Sequence, residues 1–261
     1  MESSHSVGSG PAERSLADRV ALVTGGSRGI GRATCIELAR QGAAVAVLCR
    51  TRIKDAREVA EQIQSAGGRG LAIEADVLDP EAIKHSVRET FAKLGNVDIL
   101  VNNAGEMTDF SVLEMQDEDW EKSLAINLTS AFRYARACIP PMKERRWGRI
   151  INVSSQVVYT GSNNHAHYSA AKSGLLGFTF SLTKELGPFG ITANVVAPGR
   201  ILTDLLTERM AGREKEWMSQ TPMRRFGQPE EVASAIAFLA SEGAGYITGA
   251  VININGGLVM G

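Results

Sequence analysis

Short runs of β-branched and other apolar residues alternate with longer helical patterns from Asp18 onwards, and this alternation constrains the fold more than any other feature. Strands that alternate with helices along a chain form a parallel sheet with helices on both faces. Several of the strand runs are nearly continuous in apolar residues, as expected where helices cover both faces of a sheet. The sequence therefore predicts an α/β, doubly wound fold around a seven-stranded parallel sheet.

The boundaries that such patterns give are good to about two to four residues. The predicted strands are Val20–Thr24, Ala44–Leu48, Gly70–Ala75, Val97–Val101, Arg149–Val153, Ile191–Ala197 and Val251–Ile254. The predicted helices are Ile30–Gln41, Arg52–Ala66, Pro80–Leu94, Asp117–Arg145, His167–Leu186, Leu205–Ser219 and Pro229–Ser241. Pro140-Pro141 lies inside the fifth helical pattern and is expected to kink it or end it early.

The composition is that of an ordinary soluble globular protein, with 44% hydrophobic and 22% charged residues and a net charge of −1. Near-neutral charge gives no indication of nucleic-acid binding, and no apolar run reaches the length of a membrane span. The three cysteines are few and odd in number, which predicts reduced packing residues and a cytoplasmic location. Residues 1–15, rich in Ser and Gly, are predicted to be a disordered tail, and residues 16–261 to form one domain.

A glycine-rich turn follows the first predicted strand and opens the first predicted helix. Glycines let the backbone turn sharply and approach a ligand closely, and the start of a helix presents free N–H groups to a phosphate. This strand–turn–helix context predicts a Rossmann-type site for the pyrophosphate of a dinucleotide. The expected cofactor-binding residues in the turn are Thr24, Gly25, Ser27, Arg28, Gly29, Ile30 and Gly31.

The end of the second strand predicts which dinucleotide binds. Sites for NAD carry an acidic residue there, which binds the ribose hydroxyls. This chain has Arg50 at that place and Arg28 in the turn, and two guanidinium groups without a carboxylate suit a 2′-phosphate. The sequence therefore predicts NADP(H), and Arg52 is interpreted as a surface charge.

Tyr168 and Lys172 are four residues apart, so they lie on the same face of the predicted helix. The ammonium group is expected to lower the pKa of the phenol from its ordinary value of about 10 and to make it usable for proton transfer. Ser155 ends a predicted strand, and Tyr168 starts a helix after a polar loop. Both are therefore expected at the carboxyl edge of the sheet, where doubly wound folds bind ligands. No Cys/His cluster has metal-ligand spacing, so no metal is predicted.

These motifs together resemble the short-chain dehydrogenase/reductase family, and the resemblance covers about residues 16–261. Within the family the chain is most similar to the 3-oxoacyl-[acyl-carrier-protein] reductases, although the endings that suggest this recur in many neighbouring reductases. The pieces that carry the resemblance are Thr24–Gly31, Asn102-Asn-Ala-Gly105, Asn127, Ser155, Tyr168 with Lys172, Pro198-Gly199, Pro229-Glu-Glu-Val232 and Tyr246-Ile-Thr-Gly249.

The resemblance implies a role for each matching residue. Tyr168 would protonate the carbonyl oxygen, Ser155 would hydrogen-bond the same oxygen, and Lys172 would lower the tyrosine pKa and hold the nicotinamide ribose. Asn127 would anchor a water that links Lys172 to solvent. Besides the turn, Arg50, Tyr168 and Lys172, the residues expected to contact the cofactor are Asp76, Val77, Asn103, Ala104, Gly105, Pro198, Gly199, Ile201 and Thr203.

The expected activity is NADPH-dependent reduction of a ketone to a secondary alcohol, with a 3-oxoacyl thioester of fatty acid biosynthesis as the first substrate hypothesis. A sugar, polyol, steroid or polyketide ketone is the alternative substrate, and a non-catalytic NADP(H)-binding regulator is the alternative class. An acyl carrier protein is a candidate partner. Phe189 stands where carrier-protein reductases often have a basic residue, but a patch of Lys143, Arg145, Arg146 and Arg149 offers either a carrier surface or a solvated helix end.

Three further features carry expectations. One helix has a second apolar stripe, Leu176 and Phe180, which favours cover by a second subunit over an intrachain neighbour, and the predicted assembly is a homotetramer. The segment 202–221 is the candidate substrate lid, with an ordinary amphipathic helix pair as the alternative. Glu106 replaces the aliphatic residue that usually follows the Asn-Asn-Ala-Gly stretch, and it is expected to change the charge beside the cofactor. His165 and His167 are interpreted as loop or substrate-pocket residues.

Overall fold

The computed structural model describes residues 15–260. Residues 1–14 of the predicted tail therefore lie outside the described residues. Ser15, the last residue of that predicted tail, donates a hydrogen bond from Oγ to Gln41 Oε1 at 2.6 Å, and the neighbouring Leu16 is buried. The division into a tail and one domain stays a prediction.

Seven parallel strands form one sheet in the order β3-β2-β1-β4-β5-β6-β7, which confirms the predicted fold class. Each predicted strand is present, with ends that differ by up to two residues. The strands are β1 (Val20–Val23), β2 (Ala44–Cys49), β3 (Arg69–Glu74), β4 (Ile99–Asn102), β5 (Gly148–Val153), β6 (Ile191–Pro198) and β7 (Val251–Ile254).

Helices cover both faces of the sheet. The α-helices are α1 (Gly29–Arg40), α2 (Ile53–Ser65), α3 (Pro80–Lys93), α4 (Asp117–Leu124), α5 (Ser130–Arg145), α6 (Val157–Thr160), α7 (Ala166–Leu186), α8 (Asp204–Met210), α9 (Glu214–Gln220) and α10 (Pro229–Ala240). None of the helices within residues 15–260 is both long enough and apolar enough to cross a membrane.

Two apolar clusters, one on each face, hold these layers together. On one face α1, α2 and α10 contribute Leu38, Val59 and Ile236. On the other face α3, α5 and α7 supply a cluster that includes Tyr134 and Leu182. Every residue of β1, β2, β4, β5 and β6 is buried, because helices cover both sides of these strands.

The predicted helix Asp117–Arg145 is wrong in two respects. A π-helical turn at Ala125–Thr129 separates α4 from α5, and the two prolines neither end nor shorten α5. Pro140 is exposed, so the backbone carbonyl that loses its N–H partner there can be solvated by water. A single π turn inside a helix often marks a functional site.

The predicted helix Leu205–Ser219 is two helices, α8 and α9. Gly212 lies between them with a φ of 78°, in the left-handed region that glycine adopts without strain. The lid segment is therefore a helix pair with a sharp turn between its members.

Candidate active site

The carboxyl ends of β1 and β4 meet at the switch point of the sheet, where two side chains join them. Asn103, just after β4, donates from Nδ2 to the carbonyl oxygens of Thr24 and Gly25 at 2.9 and 3.1 Å. Thr24 Oγ1 in turn accepts from the backbone N–H groups of Asn103 and Ala104 at 2.9 and 3.0 Å. The floor of the crevice between the two halves of the sheet is thus fixed by hydrogen bonds.

The glycine-rich turn has the backbone geometry that a pyrophosphate site needs. Gly25 and Gly29 have φ values of 66° and 51°, and a Cβ on Gly31 would lie 2.0 Å from the Gly25 oxygen. Helix α1 begins without a side-chain cap on Arg28 and without an acidic residue in its first turn. Its first N–H groups and the positive end of its dipole therefore suit a phosphate, and the residues present fit a dinucleotide.

Both arginines predicted to recognise a 2′-phosphate lie beside this turn, and each is paired with a carboxylate. Arg50 Nη1 lies 3.3 Å from Glu106 Oε2, and Arg28 Nη1 lies 3.1 Å from Asp204 Oδ2 at the start of α8. The interpretation of Arg52 as a surface charge agrees with its pairing to Asp55 within α2. Each of these two arginines is thus joined by an ion pair to a segment that lies elsewhere in the chain.

Ser155, Tyr168 and Lys172 come together at the carboxyl edge of β5. The backbone N–H of Gln156 donates to the Pro198 oxygen at 2.9 Å, which places Ser155 next to the end of β6. The Ser155 hydroxyl hydrogen-bonds Tyr168, and Lys172 Nζ lies 5.7 Å from the centroid of the Tyr168 ring. A hydroxyl pair and an amine therefore converge as the sequence predicted.

The predicted effect on the pKa of Tyr168 is wrong in direction. Burial raises the pKa of the phenol to about 12, while the hydrogen bond from Ser155 and the positive charge of Arg209 oppose that rise. The spacing of four residues does bring Lys172 beside the ring, but its ammonium group donates to the backbone oxygen of Val153 at 2.9 Å. The loss of hydration therefore outweighs the nearby positive charge.

Lys172 itself is 3% exposed, and burial lowers its pKa from 10.5 to about 8. Gly105 lies against it, since a Cβ there would be 3.2 Å from Nζ. A lysine in such surroundings changes its charge close to neutral pH, which makes it a reasonable partner for proton transfer.

Asn127 lies in the π-helical turn, and its side chain makes hydrogen bonds to two neighbouring residues. Nδ2 donates to the backbone oxygens of Glu106 and Ser123 at 2.9 and 3.0 Å, and Oδ1 accepts from the Glu106 N–H at 3.2 Å. Asn127 thereby holds the segment after β4 beside Lys172. The water that it is expected to anchor stays a prediction.

The remaining residues predicted to contact the cofactor lie along the same edge of the sheet. Thr203 caps α8, and its Cγ2 would be 3.1 Å from a Cβ on Gly29, so the lid segment begins against the turn. Asp76 and Val77 follow β3, and Ala104 and Gly105 follow β4. Pro198 is the last residue of β6, and Gly199 and Ile201 come after it.

A cluster that sequence reasoning missed joins the lid to the loop after β4. Arg209 of α8 forms a two-pronged ion pair with Asp109 at 2.8 and 2.9 Å and donates to the Met107 oxygen at 2.7 Å. His165 Nε2 lies 2.9 Å from Asp109 Oδ1, so His165 belongs to this loop cluster. Its members are far apart in the chain, and no spacing pattern could have linked them.

Several other interpretations can be compared with the structure. Asn152 and Ser154 are buried, and their side chains donate hydrogen bonds to Thr179 Oγ1 and to the Lys172 backbone oxygen. His167 is buried with Nε2 2.9 Å from Thr108 Oγ1, and burial lowers its pKa. Within residues 15–260 no group of three or more His, Cys, Asp or Glu could hold a metal ion.

The basic patch considered for a carrier protein lies at the opposite edge of the sheet, because β5 starts there and Ser155 follows its end. Arg149 is buried, and Arg145 pairs with Asp98 at 3.0 Å. Arg146 donates to the Pro188 oxygen, and Lys143 lies over the Phe189 ring. The four cations are thus used largely in contacts within the chain.

Comparison with known proteins gives matches along nearly the whole chain. The profile of the family described as Enoyl-(Acyl carrier protein) reductase, a short-chain dehydrogenase/reductase group, matches residues 25–259. The 3-oxoacyl-[acyl-carrier-protein] reductase FabG of Aquifex aeolicus is 43% identical over 94% of this chain and 99% of that protein. Its counterpart from Escherichia coli K12 is 43% identical over 93% of this chain and 98% of that protein.

Two further relatives have different descriptions. Nodulation protein G of Azospirillum brasilense is 42% identical over 93% of this chain and 99% of that protein. A crystal structure assigned to a gluconate dehydrogenase from Agrobacterium tumefaciens superposes with a TM-score of 0.90 at 31% identity, covering 94% of this chain and 98% of that chain.

Proposed function

Since the chain belongs to the short-chain dehydrogenase/reductase family and is an oxidoreductase acting on a CH–OH/C=O pair, we propose that it reduces the ketone of a 3-oxoacyl thioester to a secondary alcohol with NADPH. One observation carries the proposal. Ser155, Tyr168, Lys172 and Asn127 converge at the carboxyl edge of the sheet, beside a turn built for a pyrophosphate.

The proposed chemistry assigns both hydroxyl groups to the carbonyl oxygen of the substrate. NADPH, when bound, supplies the hydride that reduces the carbonyl carbon. Negative charge then develops on oxygen, where hydrogen bonds from Ser155 and Tyr168 stabilise the transition state more than the ground state. Tyr168 transfers its proton to that oxygen, and a phenol with a pKa of about 12 is protonated and ready to do so at neutral pH.

Lys172 has the complementary role in this proposal. Its ammonium group, with a pKa of about 8, is charged at neutral pH and lies beside the ring of Tyr168. Positive charge there supports the phenolate that forms when the proton leaves. Asn127 keeps Gly105 and Glu106 in place against Lys172 and is the proposed anchor of the water that returns the proton.

The choice of NADPH rests on Arg28 and Arg50, which flank the turn and offer two guanidinium groups to a 2′-phosphate. The proposed contacts of the rest of the dinucleotide run from Asp76 and Val77 at the adenine to Pro198 and Gly199 at the nicotinamide. A ratio of kcat/KM for NADPH over NADH above one is the expected result, and preference for NADH would overturn this choice.

The 3-oxoacyl thioester is supported by the curated relatives, which are named as reductases of that substrate on a carrier protein. The lid segment is partly apolar, with Met210, Trp217 and Met218 half-buried in it, and this composition suits an acyl chain. Docking of a carrier is proposed at the catalytic edge, since the predicted basic patch lies at the other edge. The unpaired, buried cysteines are consistent with the proposed cytoplasmic location.

A polar ketone is the second candidate substrate, and one observation favours it. The guanidinium of Arg209 is close enough to Tyr168 to lower its pKa, and it suits a carboxylate or several hydroxyl groups of a substrate that replaces Asp109 as its partner. The structural relative assigned as a gluconate dehydrogenase agrees with that reading.

The test compares kcat/KM on an acetoacetyl thioester with values on sugar-acid, polyol-derived and cyclic ketones, using NADPH. We expect the thioester to be the best substrate. In Tyr168→Phe, which keeps the ring and removes the acid, turnover should fall by about 10²–10⁴-fold while NADPH binding is retained. If a sugar-acid ketone is the best substrate, the polar ketone replaces the 3-oxoacyl thioester as the proposed substrate. Near-normal turnover by Tyr168→Phe would refute the role of the phenol.

A further inference from the structure

Glu106 occupies a position between two cations at the crevice. Its Oε2 lies 3.3 Å from Arg50 Nη1, and its Oε1 lies 3.4 Å from Lys122 Nζ of α4. Each carboxylate oxygen therefore has its own cationic partner. The Glu106 side chain is 31% exposed and that of Arg50 is 45% exposed, so both are open to a ligand that enters from solvent.

The order of the strands shows what this ion pair spans. Arg50 follows β2 and Glu106 comes shortly after β4, and both strands are direct neighbours of β1. The pair between Arg50 and Glu106 thus passes over the carboxyl end of β1, where the glycine-rich turn begins. A dinucleotide on that turn lies in the same space, so the carboxylate and the ligand compete for the same guanidinium group.

The side chain of Glu106 is separable from its backbone. Its N–H and carbonyl oxygen bond to the side chain of Asn127, whereas its carboxylate faces the two cations. Glu106→Gln therefore removes the charge and keeps the size, while the contacts that support the catalytic residues stay in place. An effect of this substitution on ligand affinity reports the carboxylate alone.

We propose that Glu106 is a specificity-determining residue for the cofactor, which lowers the preference for NADPH over NADH because its carboxylate holds Arg50. A 2′-phosphate displaces the carboxylate from Arg50, and Glu106 keeps Lys122 as its partner. NADH brings no phosphate to Arg50, so its binding leaves this pair intact. The inference rests on the proposed dinucleotide site, but it does not depend on which ketone is reduced.

The experiment uses fragments that lack the nicotinamide, so that the catalytic residues do not enter the measurement. Calorimetry gives Kd for adenosine 2′,5′-bisphosphate and for 5′-AMP, which differ only by the 2′-phosphate. Because an exposed ion pair contributes little, we expect Glu106→Gln to tighten the bisphosphate by about two- to fivefold and to leave 5′-AMP unchanged. NADP⁺ and NAD⁺ should show the same difference.

Glu89→Gln is the matched control, because it removes the same charge from a carboxylate that also has two basic neighbours. Glu89 is 25% exposed, lies 2.7 Å from Lys93 and 3.7 Å from His85, and is near the end of α3 that leads to the opposite edge of the sheet. We expect no change in the ratio of the two affinities. An equal gain in this control would mean a general effect of net charge and would overturn the proposal.

Arg50→Gln completes a double-mutant cycle with Glu106→Gln. In that background Glu106→Gln should no longer change the bisphosphate affinity, since the carboxylate acts through Arg50. A gain that persists without Arg50, an equal gain for 5′-AMP, or no gain at all would each overturn the inference. If the wild-type chain prefers NADH, the proposed cofactor fails, yet the change between wild type and Glu106→Gln still decides the role of Glu106.

Discussion

Lys172 illustrates how one residue can serve a reaction at the expense of stability. Its ammonium group is almost fully buried, and it donates a hydrogen bond to the Val153 oxygen. Burial without a carboxylate partner disfavours the charged form, which is why the pKa falls from 10.5 to about 8. Positions of this kind are common at functional sites, where stability is often below its optimum.

A consequence is a specific dependence of stability on pH. Between pH 8 and 10.5 the unfolded lysine keeps its proton while the folded one loses it, so the free energy of unfolding rises with pH. Lys172→Met removes this effect. Its stability relative to wild type should be greatest below pH 8 and should decrease by up to roughly 3 kcal/mol towards pH 10.5.

Urea unfolding of wild type and Lys172→Met at several pH values measures this difference. The lost hydrogen bond to Val153 costs the variant the same at every pH, so it cancels when the pH values are compared. Lys184→Met, at an exposed position of the same helix, is the control and should follow the wild type. A constant offset between wild type and Lys172→Met would contradict the effect of burial.

Single residues also show what the sequence could and could not predict. The convergence of Ser155, Tyr168 and Lys172 follows from strand ends and helical spacing, which are local properties, and the structure has it. The pKa of Tyr168 depends on how much of the folded chain surrounds the phenol. The spacing of Tyr168 and Lys172 indicated a neighbouring positive charge but not the burial of the phenol, so the predicted direction of the pKa shift was wrong.

At the scale of elements, the candidate lid, which contains α8 and α9, is joined to the body of the protein by ion pairs. Arg209 connects α8 to Asp109 in the loop after β4, and Asp204 at the start of α8 connects it to Arg28 in the glycine-rich turn. The pair with Asp109 uses both prongs of the guanidinium, and Arg209 is only 24% exposed. It is therefore the stronger of the two attachments.

Arg209→Gln should weaken this attachment and raise KM for the ketone. A hydrogen-bonded charged pair of this kind contributes about 1.5 kcal/mol, so we expect KM to rise by roughly tenfold with a smaller change in kcat. Steady-state kinetics at saturating NADPH makes the measurement. Arg213→Gln is the control, because Arg213 lies over Trp217 within the lid and not across to the loop. An unchanged KM in Arg209→Gln would rule out this attachment.

The apolar patterns predicted which helices exist, but they did not predict where a helix is interrupted. The sequence Asp117–Arg145 reads as one helix because its apolar spacing continues, yet a π turn intervenes at the residues around Asn127. In that turn Asn127 donates hydrogen bonds to the backbone oxygens of Glu106 and Ser123, and Glu106 lies outside the helix. A contact between distant segments leaves no periodic signal in either of them.

At the scale of the whole molecule, two separate faces expose aromatic side chains. Phe132 of α5 and Phe180 of α7 are 42% and 46% exposed on one face. Phe238 of α10 and Tyr246, which precedes the edge strand β7, are exposed on another. A tetramer with closed symmetry needs two different interfaces on each subunit, so two exposed apolar faces support the expected homotetramer.

The role of each face can be tested by one substitution that introduces a charged residue. Phe180→Glu and Phe238→Glu should each reduce the tetramer to a dimer, since a carboxylate in an apolar interface is costly, and the double variant should be monomeric. Light scattering coupled to size-exclusion chromatography gives the mass. Leu113→Glu, at a highly exposed apolar residue away from both faces, should leave the mass unchanged. A monomeric wild type would refute the proposal.

Neutral hydrogen bonds hold the floor of the crevice at the ends of β1 and β4, whereas ion pairs hold the segments around it. Asn103 and Thr24 fix the floor through hydrogen bonds between their side chains and backbone groups, whereas Arg28, Arg50 and Arg209 each reach a carboxylate in another segment. Substitutions of Arg28 or Arg50 can therefore alter which molecules enter without removing a contact of the reacting groups, whereas Arg209 also acts on the pKa of Tyr168. A protein arranged in this way can acquire new substrates over evolution through surface changes alone, while its chemistry is inherited intact.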